Sequence, residues 1–256
     1  MRTAYGEIFE QRGDRYEQSM ARSPGVRLQE FRAMVQRLRP APGEHIVDVP
    51  SGGAYLRELL PMDTRYTAVD ESAHFHRACS RRLLPGDEAC LAPAHQLPLL
   101  DATCDALCSV AGLHHQHLRQ PIYREWFRVL RPGGRVILAD VAAGSRIGAF
   151  LNGFVDRYNS QGHDGLFLST ADDAALRSAG FSDVTTEDAH YHWCFTDPGH
   201  AVEFCTDLFG LDMAGSGPAL ARVLVSDLGF HQGEDPGAGR CWLLPWTLRY
   251  LAARKA

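Results

Sequence analysis

Two adjacent histidines, His114 and His115, close one short apolar run, and Asp140 closes another. An imidazole with an ordinary pKa of ~6.5 suits a general base at neutral pH, and a carboxylate nearby favours its protonated form. Two further carboxylates, Asp48 and Asp70, end earlier apolar runs 22 positions apart. An acid at the end of a second strand is placed to accept hydrogen bonds from two ribose hydroxyls, and small residues after a first strand let a ligand approach the backbone. Pro50-Ser51-Gly52-Gly53-Ala54 follows Asp48 at that place, so the expected ligand is an adenosine-containing cofactor. A nicotinamide dinucleotide needs G-x-G-x-x-G, and the third glycine is missing.

The elements that must position these groups alternate between β and helical patterns. IVDV (46–49), YTAVD (66–70), ACLAP (89–93), ALCSVAG (106–112) and RVILADV (135–141) are strand candidates. AYLRELL, ESAHFHRACSRRLL and PIYREWFRVL have helical spacing between them, and Arg131-Pro132-Gly133-Gly134 breaks the last helix before the fifth strand. Repeated βα units predict an α/β fold with a parallel sheet, whose ligands sit outside the carboxyl ends of the strands. Residues 1–40 are expected to be helical, with Phe31, Met34, Val35 and Leu38 on one face. After residue 141 the pattern predicts a helix over 147–158, a polar turn over 159–165, a helix opened by Ser169, a strand over 183–195 and a helix over 198–210. An irregular stretch to about 240 and a closing strand from Cys241 complete the chain. One domain is expected over 1–256: helical segment 1–40, core 41–195, cap 196–240 and closing strand 241–256.

Composition narrows the ligand. With 256 residues and 45% hydrophobic content the chain can bury a full core, and its net charge of -5 offers no basic face to a phosphate backbone. The expected partner is a small molecule, with no nucleic acid and with a homodimer allowed. No run approaches the ~20 apolar residues of a membrane span, so no membrane association and a cytoplasmic location are expected. Seven cysteines without a C-x-x-C pair indicate neither a disulfide framework nor a zinc ribbon, and His74 and His76 lack an ordered set of partner ligands. No metal is expected.

Four segments carry a family resemblance. IVDVPSGGAYL, AVDES, HQLPLLDATCDALCSVAGLHH and FRVLRPGGRVILADV, in this order over 45–141, resemble the successive motifs of class I S-adenosylmethionine-dependent methyltransferases. The resemblance implies a Rossmann-like, seven-stranded, mostly parallel sheet with helices on both faces, an antiparallel last strand and a cap between strands six and seven. It also implies S-adenosylmethionine as cofactor, S-adenosylhomocysteine as product, and methylation of an O, N or S atom of a metabolite. By position, Asp48 and the turn Pro50, Ser51, Gly52 and Gly53 would hold the methionyl end, and Asp70 with Glu71 the ribose. Ala94 and His95 would border the adenine, while Ser109, Val110, Ala111 and His114 would line the wall near the sulfonium. The family's usual first motif has glycines where this chain has Pro50 and Ala54, and an acid that often meets the adenine amino group aligns with Pro93. A silent Rossmann-like subunit, or a cofactor-binding relative with a non-methylating reaction, are the alternatives.

In-line methyl transfer needs mainly positioning, with a base where the acceptor carries a proton. His114, His115, Asp140 and His163 are the catalytic candidates. Asp156, Tyr158, Asn159 and His163 cluster after the fifth strand, and His192 and Trp193 lie on the penultimate one. With Tyr5 and Tyr16 of the N-terminal helices, which in this family often fold over the cofactor, they are the candidate substrate contacts. About 45 residues separate the last two strand candidates, far more than a hairpin needs, so a lid is expected there.

Overall fold

The computed structural model describes residues 5–256. Helices α1 (Tyr5–Arg22) and α2 (Leu28–Leu38) precede the sheet. Strands β1 (His45–Asp48), β2 (Arg65–Asp70), β3 (Glu88–Leu91), β4 (Cys104–Val110) and β5 (Leu130–Asp140) follow, all paired in parallel in the order β3-β2-β1-β4-β5. The two-residue period of these strands divides the core. Ile46, Ala68, Cys108 and Ile137 face one side with Phe31, Met34 and Leu38 of α2, while Val47, Val69, Leu107 and Val136 face the other. There they meet Ile122 and Trp126 of α4 (Arg119–Val129) and Leu176 of α7 (Thr170–Ser178). Near-continuous apolar strands are what a sheet covered on both faces requires.

The crossover elements are shorter than their sequence patterns. AYLRELL forms a 3-10 turn, Tyr55–Leu59, before Pro61, and the next helix, α3, covers only Ala73–Cys79, capped by Ser72. Residues 131–134 do not merely separate a helix from a strand. Cys104 pairs with Leu130 and Ala106 with Arg135, so this Pro-Gly-Gly segment bulges inside β5. After β5, α5 (Arg146–Ala149) continues through a π-helical stretch, Phe150–Val155, into α6 (Asp156–Tyr158).

Among the described residues the sheet has eight strands, one more than expected. β6 (Ser182–Phe195) and β8 (Gly239–Arg254) form a long antiparallel ribbon, with β8 inserted between β5 and β6. Only Arg249–Arg254 of β8 pairs with β5; the half containing Trp242–Leu248 pairs with β6 and overruns the parallel sheet. The stretch to residue 240 is not irregular: α8 (Pro198–Phe209) is followed by α9 (Ser216–Ser226), and β7 (His231–Asp235) hairpins onto the start of β8. Gly215, Gly217 and Pro218 obscure the start of α9, although Ala219, Leu220 and Leu224 bury a helical stripe. β7 is polar throughout, so only its partner strand defines it. Among the described residues no helix is long and apolar enough to cross a membrane.

Candidate active site

A cleft opens at the carboxyl ends of β1 and β4, the neighbours between which the strand order reverses. It encloses about 970 Å³ of empty space, its mouth included. The turn after β1 and the end of β4 line one side, α1 and α2 lie across it, and the overrunning β6–β8 ribbon supplies Trp193, Trp246 and Leu248.

The turn after β1 is tied to β2. Gly52 and Ser72 each donate a backbone N–H to Asp70, to its Oδ2 and Oδ1 respectively, both at 2.9 Å, and Ser51 N–H donates to the Val69 carbonyl at 3.0 Å. Asp70 is therefore buried behind the turn and anchors it. Gly52 lines the cleft with φ +52°, where a Cβ would meet nothing within 4 Å. Open space there is what close approach of a ligand to the backbone requires. Pro50 fills room that a glycine would leave: its Cγ would lie 2.6 Å from a Cβ on Gly112, so bulk at one position demands none at the other. Ala54 holds φ 58°, the left-handed conformation a glycine adopts without strain.

Asp48 also lines the cleft. It is 3% exposed, and burial pushes its carboxyl up to about 7, although the Tyr66 hydroxyl donates to Oδ2 at 2.6 Å. Val110 and Ala111 line the cleft, whereas Ser109 is fully buried with an unpaired hydroxyl, outside the cleft lining. Gly53 packs beneath α1, where a Cβ would fall 2.3 Å from Glu17 Oε1. Glu71 accepts a hydrogen bond from Gln116 Nε2 at 2.7 Å. Ala94 is buried and His95 exposed, both outside the cleft lining.

His114, His115 and His163 meet at the cleft wall, with ring centroids 4.1 to 5.4 Å apart. His114 Nδ1 lies 2.8 Å from Asp140 Oδ1, which also accepts the Val141 N–H, while Oδ2 accepts the His114 N–H. Burial works to raise Asp140, but His114, Arg119 and the backbone donor outweigh it and hold the carboxyl below its ordinary value. His163 Nδ1 lies 2.9 Å from Asn152 Oδ1. Burial, aided by His114 and Arg12, lowers His163 to about 3, and burial beside His114 and His163 lowers His115 well below its usual value. His115 and His163 are thus held toward the neutral form, and His114 is placed against a carboxylate. This convergence joins the 3-10 turn after β4 to the loop after α6, about fifty residues apart, which no local pattern in the sequence signals.

The other candidates take supporting places. Asp156 accepts the His163 N–H at 2.8 Å, and Asn159 Nδ2 donates to the Phe209 carbonyl at 3.0 Å. Tyr158 packs on Phe154, ring centroids 4.7 Å apart. Trp193 faces the cleft and stacks on Trp246 at 4.1 Å, while His192, its neighbour along β6, points to the opposite face near His231. Tyr16 lines the cleft; Tyr5 opens α1, and its side chain lies outside the described residues.

Several lining residues had no sequence signal of function. Arg27 and Glu30 form a buried ion pair at the start of α2, to which Trp193 Nε1–H donates at 3.3 Å and Arg27 adds a bond to the Tyr16 hydroxyl. Burial works against the Arg27 charge, but Glu30 and Tyr16 outweigh it and hold the guanidinium charged. Arg12 reaches the carbonyls of Leu208 and Phe209, both at 3.2 Å. The i, i+3 spacing of Arg27 and Glu30 was the only visible hint, and such pairs ordinarily mark a solvated helix face.

Comparison with known proteins agrees with this geometry. The family model described as a methyltransferase domain matches residues 47–138. The chain is 35% identical over 107 residues to a ubiquinone/menaquinone biosynthesis C-methyltransferase, UbiE, of Rubrivivax gelatinosus, covering 41% of this chain and 43% of that protein. It is 31% identical over 115 residues to an O-methyltransferase of Pyrenophora dematioidea, covering 42% and 43%. The chain thus spans less than half the length of these curated relatives. The fold matches the YcgJ protein of Bacillus subtilis with a TM-score of 0.64 at 13% identity, over 89% of this chain and 99% of that one. The strand order, the β1 turn and the matched domain together make residues 47–138 similar to the methyltransferase domain, on a fold shared with Rossmann-like methyltransferases.

Proposed function

We propose that the protein binds S-adenosylmethionine across the ends of β1 and β4 and transfers its methyl group to an O, N or S atom of a small metabolite held in the cleft, in the cytosol. The observation that carries this reading is the juxtaposition of the open backbone at Gly52, the cleft-facing Asp48 and the histidine cluster in one cavity. When bound, the cofactor supplies an electrophilic methyl on a sulfonium.

The chain's own residues supply position and charge. Gly52 and Ser51 line the methionyl end, and the Asp48 carboxyl, poised near neutrality, favours a cationic group beside it once ionised. Val110 and Ala111 form the wall against the transferred group. Trp193, Trp246, Phe31 and Phe209 make an apolar, water-excluding floor for a planar acceptor, and His114, oriented by Asp140, takes the acceptor's proton where it carries one. A carbon atom is the second acceptor class, because the first relative is named as a C-methyltransferase.

Calorimetric titration with S-adenosylmethionine and S-adenosylhomocysteine tests the first half. Wild type should bind both, and Asp70→Ala, which leaves the Gly52 and Ser72 N–H groups without their acceptor, should lose binding while its circular dichroism stays native. No binding by folded wild type, with or without candidate acceptors, would leave only a Rossmann-like scaffold.

A further inference from the structure

We propose that His114, His115 and His163 form a tri-histidine site for one divalent transition-metal ion, such as zinc or cobalt, in the wall of the cleft. One ring nitrogen from each residue lies within 4.8 Å of the others. Tetrahedral coordination at ~2.0–2.1 Å sets neighbouring nitrogens about 3.3 Å apart, so side-chain adjustments on the order of an ångström close the site.

The hydrogen bonds around the rings assign their protons. Asn152 pairs with both backbone groups of Gly165: its Nδ2 donates to the carbonyl at 2.9 Å and its Oδ1 accepts the N–H at 2.7 Å. The amide is thereby fixed with Oδ1 toward His163 Nδ1, which must be the protonated nitrogen. Asp140 likewise offers His114 Nδ1 only an acceptor. With Nδ1 engaged by Asp140 or Asn152, Nε2 is the nitrogen each of these two rings can offer an ion. The two supported rings, with His115 beside them, bring three ring nitrogens together in one part of the cleft wall. A carboxylate or amide behind each ligating imidazole is also the usual support of metal-bound histidine. The Asp140 carboxylate adds negative charge behind the site, whereas Arg12, held on the Leu208 and Phe209 carbonyls, opposes a cation.

Three protein ligands leave a coordination position for a water or an acceptor oxygen on the cleft side. With the ion bound, His114 is a ligand and no longer the base; the ion would instead hold a hydroxyl of the acceptor and lower its pKa. That use rests on the proposed methyl transfer; the binding of the ion does not.

The test is titration of chelator-stripped protein with Zn²⁺ by calorimetry and with Co²⁺ by visible absorption, without cofactor. One ion per chain is expected, with the visible bands of a low-coordinate cobalt site. Affinity should fall by ~10–100-fold in Asn152→Ala and further in His163→Ala, and rise in Arg12→Gln. Absence of binding by folded wild type, or zinc binding unchanged in both His163→Ala and Asn152→Ala, an adventitious ion only, would overturn the site. Cofactor titration in parallel separates the two ideas: cofactor binding without metal removes only the site, and metal binding without cofactor removes only the methyl-transfer reading.

Discussion

Replacing Asp48 by asparagine should change how stability depends on pH. The amide keeps an acceptor for the Tyr66 hydroxyl but cannot ionise. In the wild type, burial raises the carboxyl to about 7 from an ordinary aspartate value of 3.8. The folded protein therefore holds a proton that the unfolded chain has released across that interval, and stability at this group falls as pH rises. At ~1.4 kcal/mol per unit the full loss is about 4 kcal/mol, more than half of it between pH 5 and 8. Urea unfolding of both proteins at pH 5, 6, 7 and 8, followed by the fluorescence of buried Trp126 and Trp193, gives the difference directly. Asp48→Asn should gain on wild type by that amount as pH rises. A difference constant to within about 0.5 kcal/mol over this range would mean that Asp48 is ionised in the folded protein, and the proposed poise of the cleft would fail.

Gly112→Ala places a Cβ 2.6 Å from Pro50 Cγ, and overpacking of this kind should cost about 1–3 kcal/mol in chemical denaturation and weaken cofactor affinity. Glu30→Gln leaves the buried Arg27 charge without its carboxylate, so a loss of about 3–5 kcal/mol is expected, largely reversed in the Arg27→Met/Glu30→Gln double variant. Asp140→Asn removes the acceptor that sets the His114 tautomer; turnover of an identified acceptor should drop with cofactor Kd unchanged, and equal loss of both would indicate a folding defect.

Much of the parallel core was legible because each strand reports its own burial. Ile46 and Val47, or Leu107 and Cys108, are apolar in succession since both faces are covered, and that pattern survives without knowledge of what covers them. The crossover segments were less legible. AYLRELL satisfies a helical period equally as a 3-10 turn, and the polar β7 exists only because β8 offers it a free edge. Asp48, the turn to Gly52 and the pair Val110 and Ala111 were found because strand ends point into the cleft in any open α/β sheet. Arg12, Arg27 and Asn152 were not, because each acts through partners distant in sequence or through an apolar surrounding that no local pattern describes.

What the amino-acid sequence determined by itself was periodicity and order: which segments are strands, which acid ends which strand, and the run of motifs that marks the family. The tertiary structure alone decided which polar groups share a cavity. Burial raises Asp48, turns Asp70 into the anchor of the β1 turn and brings His163 against His114 and His115. Those outcomes depend on desolvation and on distances between residues far apart in the chain, and both exist only once the sheet has closed its faces.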